Sequence, residues 1–387
     1  MKTAVIVCLT AIFFFNHVPF TDAMESDKNF ADQATSAILM ERDTGTVLFE
    51  KNSHEQLPPA SMTKVMTMLL IMEAIEDGRL SWDDKVRTSE RAASMGGSQI
   101  FLEPGEEMTV KEMMKGIAIA SGNDASVAMA EHLAGSENEF AAKMNEKAKS
   151  LGLENTHFVN SNGLPAENHY SSAYDLAVIS KELLRHEEIT EFTSLYEDYL
   201  RKDTDDPFWL VNTNKLVKFY PGVDGLKTGF TREAKYCLTA SANKDGMRMI
   251  SVVMGAPTPQ ERNRQITEMF DYAYSQYQLH TRYQPTDVLG EINIDKGAKS
   301  LVQVVPEKPV SVLMKKGESI EGAEEKITLN NKVKAPVFEG QELGSLVIEK
   351  DGKTILTQPL VASESVDEAT LWQLMRRTRS VLFGDAS

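Results

Sequence analysis

The spacing of apolar positions changes twice along this chain. The stretch "TSAILMERDTGTVLFEKN", starting at Thr35, holds two apolar runs about a turn at Asp43-Thr44-Gly45, the pattern of a β-hairpin. From Pro58, "PPASMTKVMTMLLIMEAI" is almost wholly apolar, as in a central buried helix, and it ends near Asp77-Gly78. Between Ser81 and Leu183 apolar residues recur at three- and four-residue spacing. "TVKEMMKGIAIAS", "DASVAMAEHLAG" and "SSAYDLAVISKELLRH" are the clearest helices, the last with Ser171 or Ser172 as its cap. "NSNGLPAENHY" between them is a loop by its Asn, Gly and Pro content. From Val211 strand signals return. "GVDGLKTGFT" reads as a strand, and "YCLTASANKDGMRMISVVMGA" as a hairpin about Asp245-Gly246. "PQERNRQITEMFDYAYSQY" is then a helix. Strands first and last, with helices between, predict an α+β fold: an antiparallel sheet with covering helices and a helical insertion.

Past about Thr281 the composition shifts to short strands with closely spaced Gly and Pro, as in "KAPVFEGQELGSLVIEKDGKTILTQPLVAS". Residues 282–362 are therefore expected to form a small all-β domain behind a larger unit at 24–281. The tail, 363–387, changes again. Ser365 and Glu368 fit a capping box and Gly384 a helix stop. Leu371, Leu374, Met375, Val381 and Leu382 share one face, Trp372 and Phe383 border it, and Arg376, Arg377 and Arg379 flank or oppose it. That is the pattern of an amphipathic helix lying in a membrane interface. At the other end, Lys2 precedes an apolar run from Ala4 to Phe15, and Thr21 and Ala23 are small residues ahead of a cut. Residues 1–23 read as a secretory signal peptide. The expectation is an exported protein held at the outer face of the cytoplasmic membrane by its tail, and secreted if the tail is lost.

The 387 residues leave room for two or three domains, and the net charge of −16 argues against a nucleic-acid partner. Cys8 lies in the signal, so the mature chain keeps only Cys237, and no disulfide framework is available. Cys237 sits in an alternating stretch and is read as a buried strand residue.

Three short motifs can carry chemistry. Ser61 and Lys64 are three apart, which places them one turn apart on one helical face. Serine needs a base, and lysine can serve when burial and a nearby positive charge lower its pKa. Pro58 and Pro59 stop any helix before Ala60, so Ser61 falls near an N-terminus, where free backbone N–H groups favour an oxyanion. In "SGNDAS", Ser121 can pass a proton and Asn123 can hold a substrate amide, in a short break between two helices. In "LKTGFT", Lys227 and Thr228 can bind a carboxylate, and Gly229 permits close backbone approach. Each string alone also fits a plain helix face, a cap or a strand end. No Gly-x-Ser-x-Gly elbow, zinc pattern or phosphate loop is present, and no cofactor is expected.

Taken together, Ser-x-x-Lys, Ser-x-Asn and Lys-Thr-Gly in that chain order resemble the constellation of penicillin-binding proteins and active-site serine β-lactamases. From about Ala34 to the C-terminus the chain looks like a low-molecular-weight penicillin-binding protein, a serine-type D-alanyl-D-alanine carboxypeptidase. The resemblance rests on "SMTK", "SGNDAS", "DGLKTGFT", the "NSNGLP…HYSSAYDLA" loop and helix, and "PVFEGQELG". It implies a β-lactamase/transpeptidase-like catalytic domain. It further implies that Ser61 is the acyl-enzyme nucleophile and Lys64 its base, with Ser121 and Asn123 from the second motif. Lys227, Thr228 and Gly229 then line the strand edge of the site. The oxyanion hole would be the backbone N–H groups of Ser61 and Phe230, and Thr231 and Arg262 would meet the substrate's terminal carboxylate. Expected partners are the peptidoglycan stem peptide, β-lactams and the membrane surface. A serine β-lactamase is the first rival, with Glu167 as a weak candidate for its water-activating glutamate. A DD-endopeptidase and a catalytically silent binding module are the others.

Overall fold

The computed structural model describes residues 29–350, 352–373 and 375. The expected signal peptide lies outside the described residues, as does most of the tail.

Five antiparallel strands form the central sheet. Their spatial order is Val47–Lys51, Ser36–Glu41, Met247–Ala256, Lys235–Lys244 and Val223–Thr231. The N-terminal hairpin is thus stitched to the last strands of the unit, with Ala37 opposite Val253 and Leu39 opposite Ser251. Both faces are covered, so every residue of Ser36–Glu41 is buried although the sheet is antiparallel. Ile38, Met40, Ile250 and Val252 face a core shared with the helices Lys64–Glu76 and Ala173–Leu183. Ala37, Leu39, Met249 and Val253 face the helix Pro259–Gln276 through Ile266, Met269 and Phe270. The strand period of two thus sorts neighbouring residues into two separate cores.

Between the hairpin and the remaining strands lies the helical insertion. Its helices start where side-chain caps permit. Thr109 and Glu112 form a capping box for Val110–Ala118, and Ser172, not Ser171, accepts the Asp175 N–H to cap Ala173–Leu183. Ser171 is used instead in a bridge to Leu57. Two small antiparallel pairs were not legible from the pattern: Lys85–Arg87 with Glu107–Thr109, and Glu197–Leu200 with Phe208–Val211.

The C-terminal region is all β. It contains a six-stranded sheet and a separate pair in which Tyr277–Tyr283 runs against Val310–Lys315. Tyr277 follows the helix Pro259–Gln276 directly, so position 282 falls inside a strand. Bridges of Val366 to Val337 and of Glu368 to Gly297 carry the pairing beyond 362. Those bridges displace the expected capping box. Ser365 Oγ accepts the Glu339 N–H, and the final helical turn begins after Thr370. There the Thr370 N–H donates to Gln373 Oε1 at 2.8 Å, and the Gln373 N–H returns to Thr370 Oγ1 at 3.3 Å. A backbone engaged in sheet bridges cannot also start a helix, which is why the cap moves. Among the described residues, no helix is long and apolar enough to cross a membrane.

Candidate active site

Three elements meet at the insertion's junction with the sheet. The chain leaves Pro59 into a 3-10 turn, Ala60–Thr63, and only then becomes the α-helix Lys64–Glu76. Ser61 therefore sits in the turn ahead of the helix, and Lys64 is the first α-helical residue. The second element is the break between Val110–Ala118 and Asn123–Ala134, where Ser121 takes a left-handed φ of 66°. The third is the strand Val223–Thr231, which carries Lys227, Thr228 and Gly229.

Gly229 decides how closely the strand meets the turn. A Cβ there would stand 2.8 Å from the Pro59 carbonyl oxygen and 3.2 Å from Ala60 Cβ. Without a side chain, the strand presses against the turn, and the backbones of Ser61 and Phe230 lie on facing elements. Ser61, Ser121, Thr228, Gly229 and Arg262 line one open cleft of about 610 Å³. Among the described residues, nothing hydrogen-bonds the Ser121 side chain, so its hydroxyl is free to serve a ligand in that cleft.

Lys64 is fully buried, and its Nζ has three oxygen neighbours. They are Ser61 Oγ at 3.1 Å, Asn123 Oδ1 at 2.6 Å and the Asn162 carbonyl at 2.7 Å. Two of these are carbonyl acceptors, which take two N–H bonds. In the neutral amine the lone pair is then left for the serine hydroxyl. Burial, and next the charge of Lys227, push the Lys64 amine well below its ordinary range. The same argument holds one layer deeper. Lys227 is fully buried, and burial followed by the Arg262 charge lowers it to about 7. Arg262 is itself lowered to about 10 by burial. Three cations thus converge with few counter-charges, and each makes the next easier to deprotonate.

Residues 22–258 match the Peptidase S11 family, D-alanyl-D-alanine carboxypeptidase, and residues 277–368 match the penicillin-binding protein 5 C-terminal domain. The chain belongs to the D-alanyl-D-alanine carboxypeptidase family. It is 56% identical over 381 residues to the D-alanyl-D-alanine carboxypeptidase DacF of Bacillus subtilis, covering 98% of each chain. DacC of Escherichia coli is 34% identical over 343 residues, 87% of this chain and 84% of that one. Among solved structures, penicillin-binding protein 5 of Haemophilus influenzae superposes with a TM-score of 0.70 at 30% identity, over 87% of this chain and 98% of that one. The ampicillin-bound penicillin-binding protein D2 of Listeria monocytogenes gives 0.57 at 31% identity, over 63% and 98%.

Within this carboxypeptidase fold, the expected positions lie in or directly behind the lining of the Ser61 cleft, with one exception. Ser61, Ser121, Thr228 and Gly229 line it, Lys64 lies behind Ser61 and bonds both it and Asn123, and Lys227 is buried in the strand with its Nζ on the Thr228 carbonyl at 3.2 Å. Phe230 points to solvent and lies against Tyr236, ring centroids 4.5 Å apart. Arg262 lines the cleft, donating to Asn263 Oδ1 at 2.9 Å. The exception is Thr231. Its hydroxyl accepts the Ala234 N–H at 2.9 Å, and it lines the neighbouring groove of about 600 Å³ together with Ala60, Glu167, His169 and Glu233. Glu167 belongs to that groove too, and among the described residues it makes no bond to Ser61 or Lys64.

Several supporting groups were missed by sequence reasoning. The Asn162 carbonyl that holds Lys64 belongs to the expected loop, but a backbone oxygen leaves no mark in side-chain pattern. Glu137 is buried, and its Oε1 accepts from Ser161 N (3.2 Å), Ser161 Oγ (3.0 Å) and Asn162 Nδ2 (3.1 Å), while its Oε2 pairs with Arg91. It clamps the turn that presents the Asn162 carbonyl. Gly163, at φ 88°, lets this turn lie on the Ala60 carbonyl. Asp124 accepts the N–H groups of Ile100 and Leu102, each at about 3 Å, and so fixes the segment that carries Ser98 to the cleft. Thr213 Oγ1 accepts from Thr228 Oγ1 at 2.7 Å and orients the strand hydroxyl.

Proposed function

We propose that Ser61 performs the carboxypeptidase reaction of this family, removing the terminal D-alanine from acyl-D-Ala-D-Ala ends of peptidoglycan stem pentapeptides. The observation that carries this reading is the Lys64 amine, held by two carbonyl acceptors with its remaining valence toward Ser61 Oγ at 3.1 Å. Neutral Lys64 takes the Ser61 proton while Oγ attacks the penultimate carbonyl. The oxyanion forms against the backbone N–H groups of Ser61 and Phe230. Ser121 relays a proton to the leaving amine, the C–N bond breaks and D-alanine departs. Water then attacks the ester, giving up its proton toward Lys64, and Ser61 Oγ leaves with a proton restored. Lys227, Thr228 and Arg262 hold the substrate's carboxylate, while the expected substrate amide contact of Asn123 gives way to a positioning one: its Oδ1 accepts from Lys64 and its Nδ2 donates to the Gly96 carbonyl at 2.7 Å.

A β-lactam acylates Ser61 by the same attack, but its leaving nitrogen stays tethered and deacylation is slow. The placement of Glu167 in the adjacent groove weighs against a class A β-lactamase, whose glutamate activates the deacylating water. D-alanine release from a pentapeptide is measured for wild type and Ser61→Ala, together with the mass of the penicillin adduct. Equal release by the two proteins would refute the assignment.

Export and peripheral attachment to the outer face of the cytoplasmic membrane belong to the same proposal. Support comes from the leader pattern at 1–23 and from the arginine-flanked apolar face of the tail. The exposed Leu371, Trp372 and Met375 agree with an apolar face left uncovered by the β region. Deleting residues from Thr370 onward is expected to release the protein from the membrane fraction. Retention of the shortened chain would sink the tail reading.

A further inference from the structure

We infer that Lys215 is a specificity-determining residue that captures the free carboxylate of the incoming chain end at the mouth of the Ser61 cleft. The inference rests on the proposed reaction at Ser61 and adds a residue to it that none of the three motifs contains.

The position of Lys215 is fixed by its neighbours. Asn212 Oδ1 accepts the Asn214 N–H at 2.8 Å, and Asn214 Oδ1 accepts the Leu216 N–H at 3.1 Å. Asn214 Nδ2 donates to the Gly225 carbonyl at 2.9 Å, and Thr213 Oγ1 accepts from Thr228 Oγ1 at 2.7 Å. The backbone on both sides of Lys215 is therefore pinned to the strand that carries Lys227 and Thr228. From there the half-buried lysine lines the same cleft as Ser61, Ser121 and Arg262.

Its charge is unspent. Among the described residues, Lys215 has no carboxylate partner. Its Nζ rests 5.1 Å from the centroid of the Tyr196 ring, which the Lys218 Nζ approaches more closely, at 4.3 Å. The ring holds the more distant cation weakly and Lys218 repels it, so little is lost when Lys215 swings to an anion. The cleft lining includes Lys215 and Arg262 and no aspartate or glutamate, in a protein of net charge −16. A local field against the sign of the whole molecule draws an anionic group to this spot. The neighbouring groove has the opposite character, with Glu167 and Glu233 and no lysine or arginine in its lining. An anionic chain end thus finds its cations only on the Lys215 side. Lys227 and Arg262 are buried and meet the carboxylate once it is seated. Lys215 meets it on the way in.

The test compares Ser61 acylation by a penicillin free acid and by its methyl ester, in wild type, Lys215→Met and Lys215→Arg. The free acid is expected to lose roughly three- to tenfold in second-order acylation rate in Lys215→Met. The ester should change by less than about twofold, because it lacks the charge that Lys215 reads. Lys215→Arg should recover most of the loss, and raised salt should slow the acid more in wild type than in Lys215→Met. Equal losses for acid and ester would reduce Lys215 to a structural role and overturn the inference, as would an unchanged acid rate. Mapping the wild-type adduct by mass spectrometry separates the two claims. An adduct away from Ser61 overturns the reaction assignment and this inference with it. An adduct on Ser61 with an unchanged acid-to-ester ratio overturns only the Lys215 inference.

Discussion

Replacing Lys227 by methionine separates what the buried cation costs the fold from what it gives the site. Its amine is lowered from the ordinary 10.5 to about 7, first by burial and then by Arg262. At about 1.4 kcal/mol per pH unit, that displacement corresponds to about 5 kcal/mol of stability withheld while the unfolded chain keeps the proton. Between about pH 7 and 10.5 the unfolded lysine binds more protons than the folded one, so stability rises with pH across that window. The penalty is complete below about pH 7. Methionine keeps the length of the side chain without the charge. Loss of the Lys227 Nζ bond to the Thr228 carbonyl and imperfect packing of the thioether in a site shaped for an amine cut the gain to about 2 kcal/mol, or about 4–8 °C in Tm. The second effect falls on Lys64, whose amine is held down by burial and next by the Lys227 charge. Without that neighbour Lys64 becomes more basic, and the acid limb of Ser61 acylation moves to higher pH. Calorimetry at about pH 6 and about pH 9.5 measures the first effect, and the gain should be larger at the lower pH. Stopped-flow acylation by an uncharged β-lactam ester measures the second, free of carboxylate binding. A variant less stable than wild type at about pH 6, or an acid limb that stays in place, would refute the reasoning.

Other substitutions test the supports of the nest around Lys64. Gly163→Ala puts a Cβ 1.8 Å from the Ala60 carbonyl oxygen at a φ of 88°, and should cost about 3 kcal/mol or more in urea unfolding while slowing acylation of Ser61. Glu137→Ala strands Ser161, Asn162 and Arg91, with about 3 kcal/mol of stability lost and acylation reduced. Glu137→Gln keeps the Oε1 acceptor and should recover most of both, and no recovery would show that the charge itself is needed. His169 accepts the Val159 N–H at Nδ1 and so donates from Nε2 to Thr63 Oγ1, at 3.0 Å and 2.8 Å. Burial, with His157 nearby, lowers it from 6.5 to about 4. Protons favour the unfolded chain in that interval, so about 3 kcal/mol is lost as pH falls from 6.5 to 4. His169→Gln should flatten that acid slope in chemical unfolding, and an unchanged slope would place it elsewhere.

The sheet was legible because its strands carry their own period and turns, as at Asp43-Thr44-Gly45 and Asp245-Gly246. The candidate site was legible because three short motifs of common residue types occur together in one chain order, each at its own spacing. What escaped was whatever acts through backbone or through burial alone. The Asn162 carbonyl is invisible in a side-chain code. Glu137 looked like one more charge in the acidic start of Glu137–Ser150, and only the fold shows that it is buried. The hairpin from Glu197 to Val211 hides its pattern because its inward residues include Asp198, which is tied to Lys115 at 2.6 Å. Ser365 and Glu368 made a correct local pattern for a cap, yet tertiary bridges claimed that backbone first.

The strand Val223–Thr231 is the last of its sheet, and a free sheet margin ordinarily invites any passing strand to add itself. Here the margin is rationed. Near Gly225 it is roofed by Thr193, whose hydroxyl donates to the Asp224 carbonyl at 2.6 Å. At Gly229 the turn from Pro59 packs on the face of the strand where a Cβ would project, and leaves the margin itself free. What stays open runs from Thr228 to Phe230 along the cleft, about 10 Å of extended chain. Such a gap admits the frayed end of a peptide but not the body of a second sheet. The protein can therefore keep a receptive main-chain edge at its working surface without becoming a template for its own aggregation.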